Sequence, residues 1–206
     1  MNSPPAGPSS VLPEEGTRSH DMLMQVVAHV RTIGNVNVSL RQLAAGIGTS
    51  HRMLQYYFGT RENLLSLVMM QLSREYIATF AGNRPTSRAE AIQGTWDMFR
   101  DPSNRLQTQI LLTLSGAAAE QPDLQLPGLT IDLDNFAMGL AAFGRAEGLP
   151  PERAEREGRY IVASLLGLYL DFYITKSEES VDASFQTLKG WVERSTRDAG
   201  GPSAPH

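Results

Sequence analysis

The sequence predicts an all-α protein of about nine helices, and three observations carry that prediction. Apolar residues recur at intervals of three and four along most of the chain. No stretch alternates at period two, as a half-buried strand would. The breaks fall at glycines, prolines and hydroxyl residues of the kinds that stop or cap helices.

The elements follow in order. Residues 1–16 are rich in Pro, Ser and Gly and end in an acidic pair, which reads as a disordered arm. From Arg18, the positions Met22, Leu23, Val26, Val27, Val30 and Ile33 keep helical spacing until Gly34. "NVNV" is a short extended link. Ser39-Leu40-Arg41-Gln42 is a capping box that opens a short helix through Leu43, Ala44 and Ala45. "GIG" ends that helix, because Gly46 or Gly48 can take the positive φ of a tight turn. Thr49 or Ser50 caps the next helix, which reaches Phe58. Gly59 breaks it, and Thr60 caps a long helix from Arg61 to about Ala81. Further helices are expected near 88–99, 103–120, 129–147, 151–175 and 181–197, separated by Asp101-Pro102, Gln121-Pro122, Pro127-Gly128 and Gly148-Leu-Pro-Pro. The resulting division is an arm (1–16), a three-helix N-terminal domain (17–64), a helical body (65–198) and a disordered tail (199–206).

Composition narrows the function. The 206 residues are 41% hydrophobic and 19% charged, ordinary for a globule with a real core. Without cysteine there is no disulfide framework, thiolate metal site or cysteine nucleophile, and His20, His29, His51 and His206 show no ligand spacing. No cofactor or metal motif is present. The N-terminus lacks a signal-peptide pattern and no apolar run is long enough to span a bilayer, so a cytoplasmic protein without a membrane partner is expected. The net charge of −4 is unevenly spread: Arg18, Arg31, Arg41, Arg52 and Arg61 face only Asp21 and Glu62 between Thr17 and Leu64, a local +3 that leaves −7 for the remainder. A basic module on an acidic body suits a local electrostatic footprint.

The stretch "GTSHRMLQYYF", residues 48–58, crowds more hydrogen-bonding tips together than a core helix needs. Two short helices joined by a glycine turn match the helix-turn-helix signature, whose second helix enters the DNA major groove. Leu54 and Phe58, four apart, would face inward. His51, Arg52 and Gln55 would project near the helix start. Arg suits guanine O6/N7 and Gln suits adenine N6/N7. Tyr56 and Tyr57 lie further along, where phenols can bind phosphate oxygens, and Arg61 opens the next helix, where free N–H groups also favour an anion. Helix-turn-helix geometry also occurs in ordinary bundles, and a lone Arg or Tyr on a helix is usually a solvated face.

From Met22 to Leu65 the chain resembles the DNA-binding domain of TetR-family repressors without gaps. The matching pieces are Gly34, Ser39-Leu40-Arg41-Gln42-Leu43-Ala44, Gly48, Leu54, and "YYFGTREN" followed by Leu64. The resemblance covers about a quarter of the chain in detail and implies base contacts from Arg41, His51, Arg52 and Gln55, with phosphate contacts from Tyr56, Tyr57 and Arg61. Ser50 completes the candidate DNA-binding set. Gln55 stands where the family usually has Tyr, Tyr57 where it often has His, and Arg61 where it mostly has Lys. The arm before Arg18 carries no basic residue, so little minor-groove contribution is expected from it.

The resemblance further implies a homodimer on a palindromic double-stranded operator, and a variable helical body that binds a small-molecule effector and carries the dimer interface. Ile161, Leu165, Leu168 and Phe172 form one stripe, with the small Gly158, Ser164 and Gly167 nearby. Phe185, Leu188 and Val192 form another, with Trp191 beside it. Such stripes serve a protomer core equally well; the resemblance assigns them to a dimer interface. Trp96, Phe99, Phe136, Phe143, Tyr169 and Tyr173, with Gln109 and Thr113 as polar anchors, are the candidate effector residues, since pockets are mostly apolar with few polar groups. A repressor released by a largely apolar effector is therefore expected.

Two other functions are weighed against this one. An enzyme would need a catalytic constellation, and the chain has no phosphate loop, nucleophile elbow or metal motif. Asp132 and Asp134 read instead as the acidic start of a helix, where the dipole favours them. The alternative is a helical small-molecule-binding or interaction protein that does not bind DNA specifically; the polar second helix speaks against it.

Overall fold

The computed structural model describes residues 11–79 and 84–200. Most of the expected arm (residues 1–10), the end of the fourth helix near Ala81 and most of the expected tail (201–206) lie outside the described residues. Among the described residues the fold is all-α: nine α-helices and one 3-10 turn, with no strand. They divide into two compact units, each treated in turn.

The first unit takes the chain through its fourth helix and adds Ser103–Asp132. Helix α1 (Arg18–Ile33) is capped by Thr17, whose hydroxyl accepts from the His20 amide, and it buries Met22, Leu23, Val26, Val27 and Val30. Gly34, at φ 60°, closes it in the left-handed region. Helices α2 (Leu40–Gly46) and α3 (His51–Phe58) pack on each other. Helix α4 (Arg61–Thr79) touches α1, α3 and α6 (Arg105–Glu120). That central position explains why Leu64, Leu65, Leu67, Val68, Met69 and Leu72 are all buried, on more than one side of the helix.

This unit is not the same set of residues as the 17–64 range expected for a DNA-binding domain, because α6 and the start of α7 (Pro127–Ala146) join it through α4. Helix α7 begins two residues before the expected Leu129. Its Leu129 amide donates to the buried Ser66 hydroxyl on α4 at 3.0 Å, and Gly128 abuts Ser66 and Met70 so closely that any side chain there would collide. The earlier start corrects the reading of Asp132 and Asp134. They fall beyond the first turn, away from the free N–H groups that would favour a carboxylate.

The second unit combines α5 (Arg88–Arg100) and the residues up to Pro102 with the chain from Leu133 onward, which includes the rest of α7, α8 (Pro151–Thr175) and α9 (Glu178–Gly200). Its core is Ile92, Trp96, Ala137, Leu140, Ile161, Val162, Leu165, Val181, Phe185, Leu188 and Val192. Trp96 stacks on Phe185 with centroids 4.7 Å apart, and its indole N–H donates to Asp182 at 3.1 Å. The turn between α8 and α9 is short because Lys176 adopts φ 57°, so α9 starts at Glu178 rather than near Val181.

The residues expected at the dimer interface lie in or against this core. Ile161, Leu165, Phe185, Leu188 and Val192 are buried within the protomer, while Leu168 and Phe172 are half-buried against the same cluster. They face α5 and α7, which bury them without help from another chain. The apolar residues that α8 leaves in solvent are others: Tyr160, Leu170 and Ile174, exposed by 55%, 47% and 70%.

Candidate nucleic-acid interface

The helix-turn-helix is assembled by local chemistry at each joint. Ser39 and Gln42 form the reciprocal capping box: the Ser39 hydroxyl accepts from the Gln42 amide at 3.2 Å, and the Ser39 amide donates to Gln42 Oε1 at 2.8 Å. The two glycines of "GIG" have different tasks. Gly48 takes φ 69°, and the Thr49 amide returns to the Ala44 carbonyl at 2.9 Å. Gly46 lies inside α2, where a Cβ would collide with the imidazole of His29 on α1. Residue-type reasoning found the turn glycine but missed this interlock. The signal was a second glycine where the turn requires one.

Ser50 caps α3 by accepting from the Met53 amide at 3.2 Å, and Gly59, at φ 70°, ends it. Leu54 and Phe58 are fully buried, as expected from their spacing. With those two anchored, His51, Arg52, Gln55 and Tyr56 are exposed, and Arg41 is exposed on the neighbouring α2. No partner within the described residues takes up the polar groups of His51, Arg52 or Gln55, so they are available to an outside ligand. Tyr57 is half-buried, edge-on to Tyr56 with centroids 5.1 Å apart and tilted against Phe58. Ser50, His51, Arg52, Gln55, Tyr56 and Tyr57 are thus gathered on one short helix.

Arg61 does not join them. Its Nε donates to the Val38 carbonyl and one terminal nitrogen to the Val36 carbonyl, each at 2.6 Å, while the other terminal nitrogen pairs with Glu62 at 3.1 Å. The side chain is only 20% exposed. The extended link leaves two carbonyls within reach of the guanidinium expected to meet a phosphate, and they accept from it.

The candidate effector residues are divided between the two units. Gln109 and Thr113 belong to α6 in the first unit, where Gln109 reaches the Gly34 carbonyl at 3.4 Å. The aromatic candidates belong to the second unit. Trp96 is buried in its stack with Phe185. Tyr169 is also buried, stacked on Phe99 at 4.1 Å and edge-on to Tyr173 at 5.1 Å. Burial, with the Tyr173 phenol beside it, pushes the Tyr169 hydroxyl far above the ordinary tyrosine range. Phe136 and Phe143 are half-buried on α7. A cleft of about 400 Å3 lies elsewhere on this unit, lined by Ser87, Glu147, Glu193, Thr196 and Arg197 among others, and a smaller one of about 220 Å3 is lined by Arg156, Glu157, Tyr160 and Trp191. None of the candidate effector residues lines either.

Bordering both clefts is a buried ionic network that the sequence reading did not single out. Arg88 donates to Glu147 and Glu157 at 2.6 Å each and to the Thr196 hydroxyl at 2.7 Å, while Arg153 also pairs with Glu157 at 2.7 Å. Among the described residues, no group of His, Asp and Glu is arranged to hold a metal ion, and no helix is long and apolar enough to cross a membrane.

No protein-family model matches the chain. It is 24% identical over 186 residues to the HTH-type transcriptional regulator BetI of Stenotrophomonas maltophilia, a match covering 87% of this chain and 93% of that protein. Its fold is similar to the crystal structure of a transcriptional regulator from Rhodococcus sp. Rha1, with TM-score 0.60, 18% identity and coverage of 92% of this chain and 100% of the other. It is also similar to the multidrug binding protein EbrR complexed with imidazole, with TM-score 0.57, 18% identity and coverage of 86% and 91%. With the helix-turn-helix built as described, the chain is similar over nearly its whole length to the transcriptional regulator BetI and shares the all-α fold of the two solved structures.

Proposed function

We propose that this protein is a cytoplasmic homodimeric repressor that binds a palindromic operator through α3 and is released by a small, largely apolar effector. The observation that carries the reading is the polarity of α3. Leu54 and Phe58 are fully buried, while His51, Arg52, Gln55 and Tyr56 are exposed. A helix of eight residues that gives one side to the core and four hydrogen-bonding tips to solvent is built to be read against something. Arg52 and Gln55, with His51 and Arg41, have the chemistry for base edges; Tyr56, Tyr57 and Ser50 have it for phosphate oxygens.

Dimerisation is supported by the exposed stripe of α8, where Tyr160, Leu170 and Ile174 share helical spacing with Gly167, whose missing side chain leaves open space. Two recognition helices about one DNA turn apart, roughly 34–36 Å, would then read a palindrome. The effector is supported by similarity to a protein described as multidrug-binding. Phe99, Phe136, Phe143 and Tyr173 are half-buried aromatic groups of the second unit that could repack around it. An effector acts only as far as its affinities for the bound and released forms differ.

The test is selection of duplexes from a random pool, followed by anisotropy on the enriched sequence. Enrichment of a palindrome is the expected result. Arg52→Ala should then cost about 1–3 kcal/mol and relax selectivity at one position in each half-site. Tyr56→Phe, which removes a neutral donor, should weaken binding with little change in salt dependence. Failure to enrich any sequence would leave the helical interaction protein as the better reading.

A further inference from the structure

We propose that Arg61 is a positioning residue for DNA binding: from the first turn of α4 it fixes the link that delivers α2, and together with Asn63 it ties both ends of the α2–α3 pair to one helix. The inference rests on the DNA-binding reading above. The link between α1 and α2 is extended, so its carbonyls have no place in a helical ladder. Arg61 supplies partners for two of them, Val36 and Val38, at 2.6 Å each. A guanidinium presents its donors in a rigid planar fork, so two such bonds fix both the distance and the orientation of the segment they hold. The Val36 side chain is itself buried. Ser39, which caps α2, follows Val38 directly, so the bond to Val38 sits one residue from the capping box.

The same turn also holds the far end of the pair. Asn63 Nδ2 donates to the carbonyl of Phe58, the last residue of α3, at 2.9 Å. Thr60 caps α4 by accepting from the Asn63 amide at 3.1 Å. Entry to α2 and exit from α3 are therefore both bonded to residues two apart on α4. Movement of the start of α4 would carry both helices with it, and loosening either bond would let α3 turn its reading face.

A direct phosphate contact would place different demands on Arg61. It would need free N–H groups and an uncompensated charge. Three of the five N–H groups of this guanidinium already donate within the chain, one of them to Glu62, which compensates the charge at 3.1 Å. The two roles separate cleanly in salt dependence. A cationic phosphate contact contributes about −0.9 to the slope of log K against log salt, so losing one from each subunit of a dimer removes about 1.8. A positioning residue lowers affinity and leaves the slope alone.

The experiment compares wild type with Arg61→Met, neutral and of similar reach, and with Arg61→Lys, which keeps the charge and loses the fork. Folded fraction is checked by circular dichroism. Amide exchange is followed over residues 36–43 in the free protein, and anisotropy is measured at several salt concentrations on the selected operator and a scrambled duplex. Arg61→Met should speed exchange in the link, weaken the operator complex about tenfold or more, weaken the scrambled complex less, and leave the slope at its wild-type value. Arg61→Lys should fall between the two. A slope reduced by about 1.8 in Arg61→Met, or wild-type operator affinity in Arg61→Lys, would mean a direct phosphate contact and overturn the proposal. Faster exchange with unchanged operator affinity would reduce Arg61 to a stabilising role and overturn it equally. If wild type selects no operator, the DNA-binding reading itself fails, a result distinct from either.

Discussion

The imidazole of His29 occupies the space that a side chain on Gly46 would need. α1 and α2 therefore meet through a ring laid against bare backbone, and the last turn of α2 is set by how closely that ring approaches. Gly46→Ala should destabilise the protein by about 1–3 kcal/mol, the usual range for forcing a methyl into a filled site. Gly48→Ala should cost about 1–2 kcal/mol for a different reason: its space is open but its φ of 69° is left-handed. Removing the ring with His29→Ala should relieve the first change and not the second. Urea unfolding of the single and double variants forms the cycle, with a coupling of about 1 kcal/mol or more expected for Gly46 with His29 and near zero for Gly48 with His29. Wild-type stability in Gly46→Ala would refute the interlock.

Arg88 is the buried counterpart of that contact in the second unit. Burial alone would raise the Glu147 and Glu157 carboxyls. The Arg88 amide and guanidinium with Thr196 at Glu147, and Ser195, Arg88 and Arg153 at Glu157, outweigh it and hold both below the usual 4.5. Depressed carboxylates contribute stability that is complete above their unfolded value and is lost as pH falls through the folded one. Arg88→Met leaves both glutamates without their shared cation, and breaking a buried pair in this way costs about 3–5 kcal/mol. The gap between wild type and variant should be full at pH 7 and narrow below about pH 4, as both proteins protonate these carboxyls. Urea unfolding from pH 3 to 7 measures it. A gap that does not change with pH would show that Arg88 acts through packing rather than charge.

Asp132 has the opposite sign. Burial raises its carboxyl, and the hydrogen bond from Ser73 does not offset that. A carboxyl with a raised folded value favours the fold while protonated and works against it once ionised, so its cost appears as pH rises through that value. Asp132→Asn keeps a hydrogen-bonding side chain and removes the charge. The variant should melt higher than wild type at pH 7, and the difference should vanish near pH 3. Thermal melts at the two pH values decide it, and a variant less stable at pH 7 would show that the charge has a partner worth more than its burial.

How far each feature was legible depends on how local its cause is. Thr17, Ser39 with Gln42, Gly48 and Ser50 act within a few residues of themselves, so the first three helices could be placed from residue type and spacing. The α8–α9 turn could not, because Lys176 takes a left-handed φ that no glycine advertises. The bonds of Arg61 were not legible for another reason. Phosphate and backbone carbonyl are both acceptors for an arginine, and only the path of residues 36–38 decides which is in reach. The stripe of Ile161 and Leu165 was ambiguous in principle, since the same spacing serves a core or an interface. What settles its direction is Ile92, Trp96 and Leu140, all far away in the sequence.

That last ambiguity has a direct test. Leu165 is buried with Ile161, Val162 and Phe185, so Leu165→Glu would place a carboxylate in the protomer core and should unfold the protein, whatever its oligomeric state. Leu170 is on the exposed stripe with Tyr160 and Ile174, where a glutamate has water around it in the isolated protomer. Leu170→Glu should therefore keep its helical signal and its thermal transition at low concentration. If α8 packs against its copy in a dimer, the same change buries two carboxylates at the contact and should weaken association by several kcal/mol, about a hundredfold or more in dissociation constant. Sedimentation at micromolar concentration, with circular dichroism alongside, should find Leu170→Glu folded and monomeric and Leu165→Glu unfolded. A Leu170→Glu, Ile174→Glu double variant that stays dimeric would place the interface elsewhere than on the exposed face of α8.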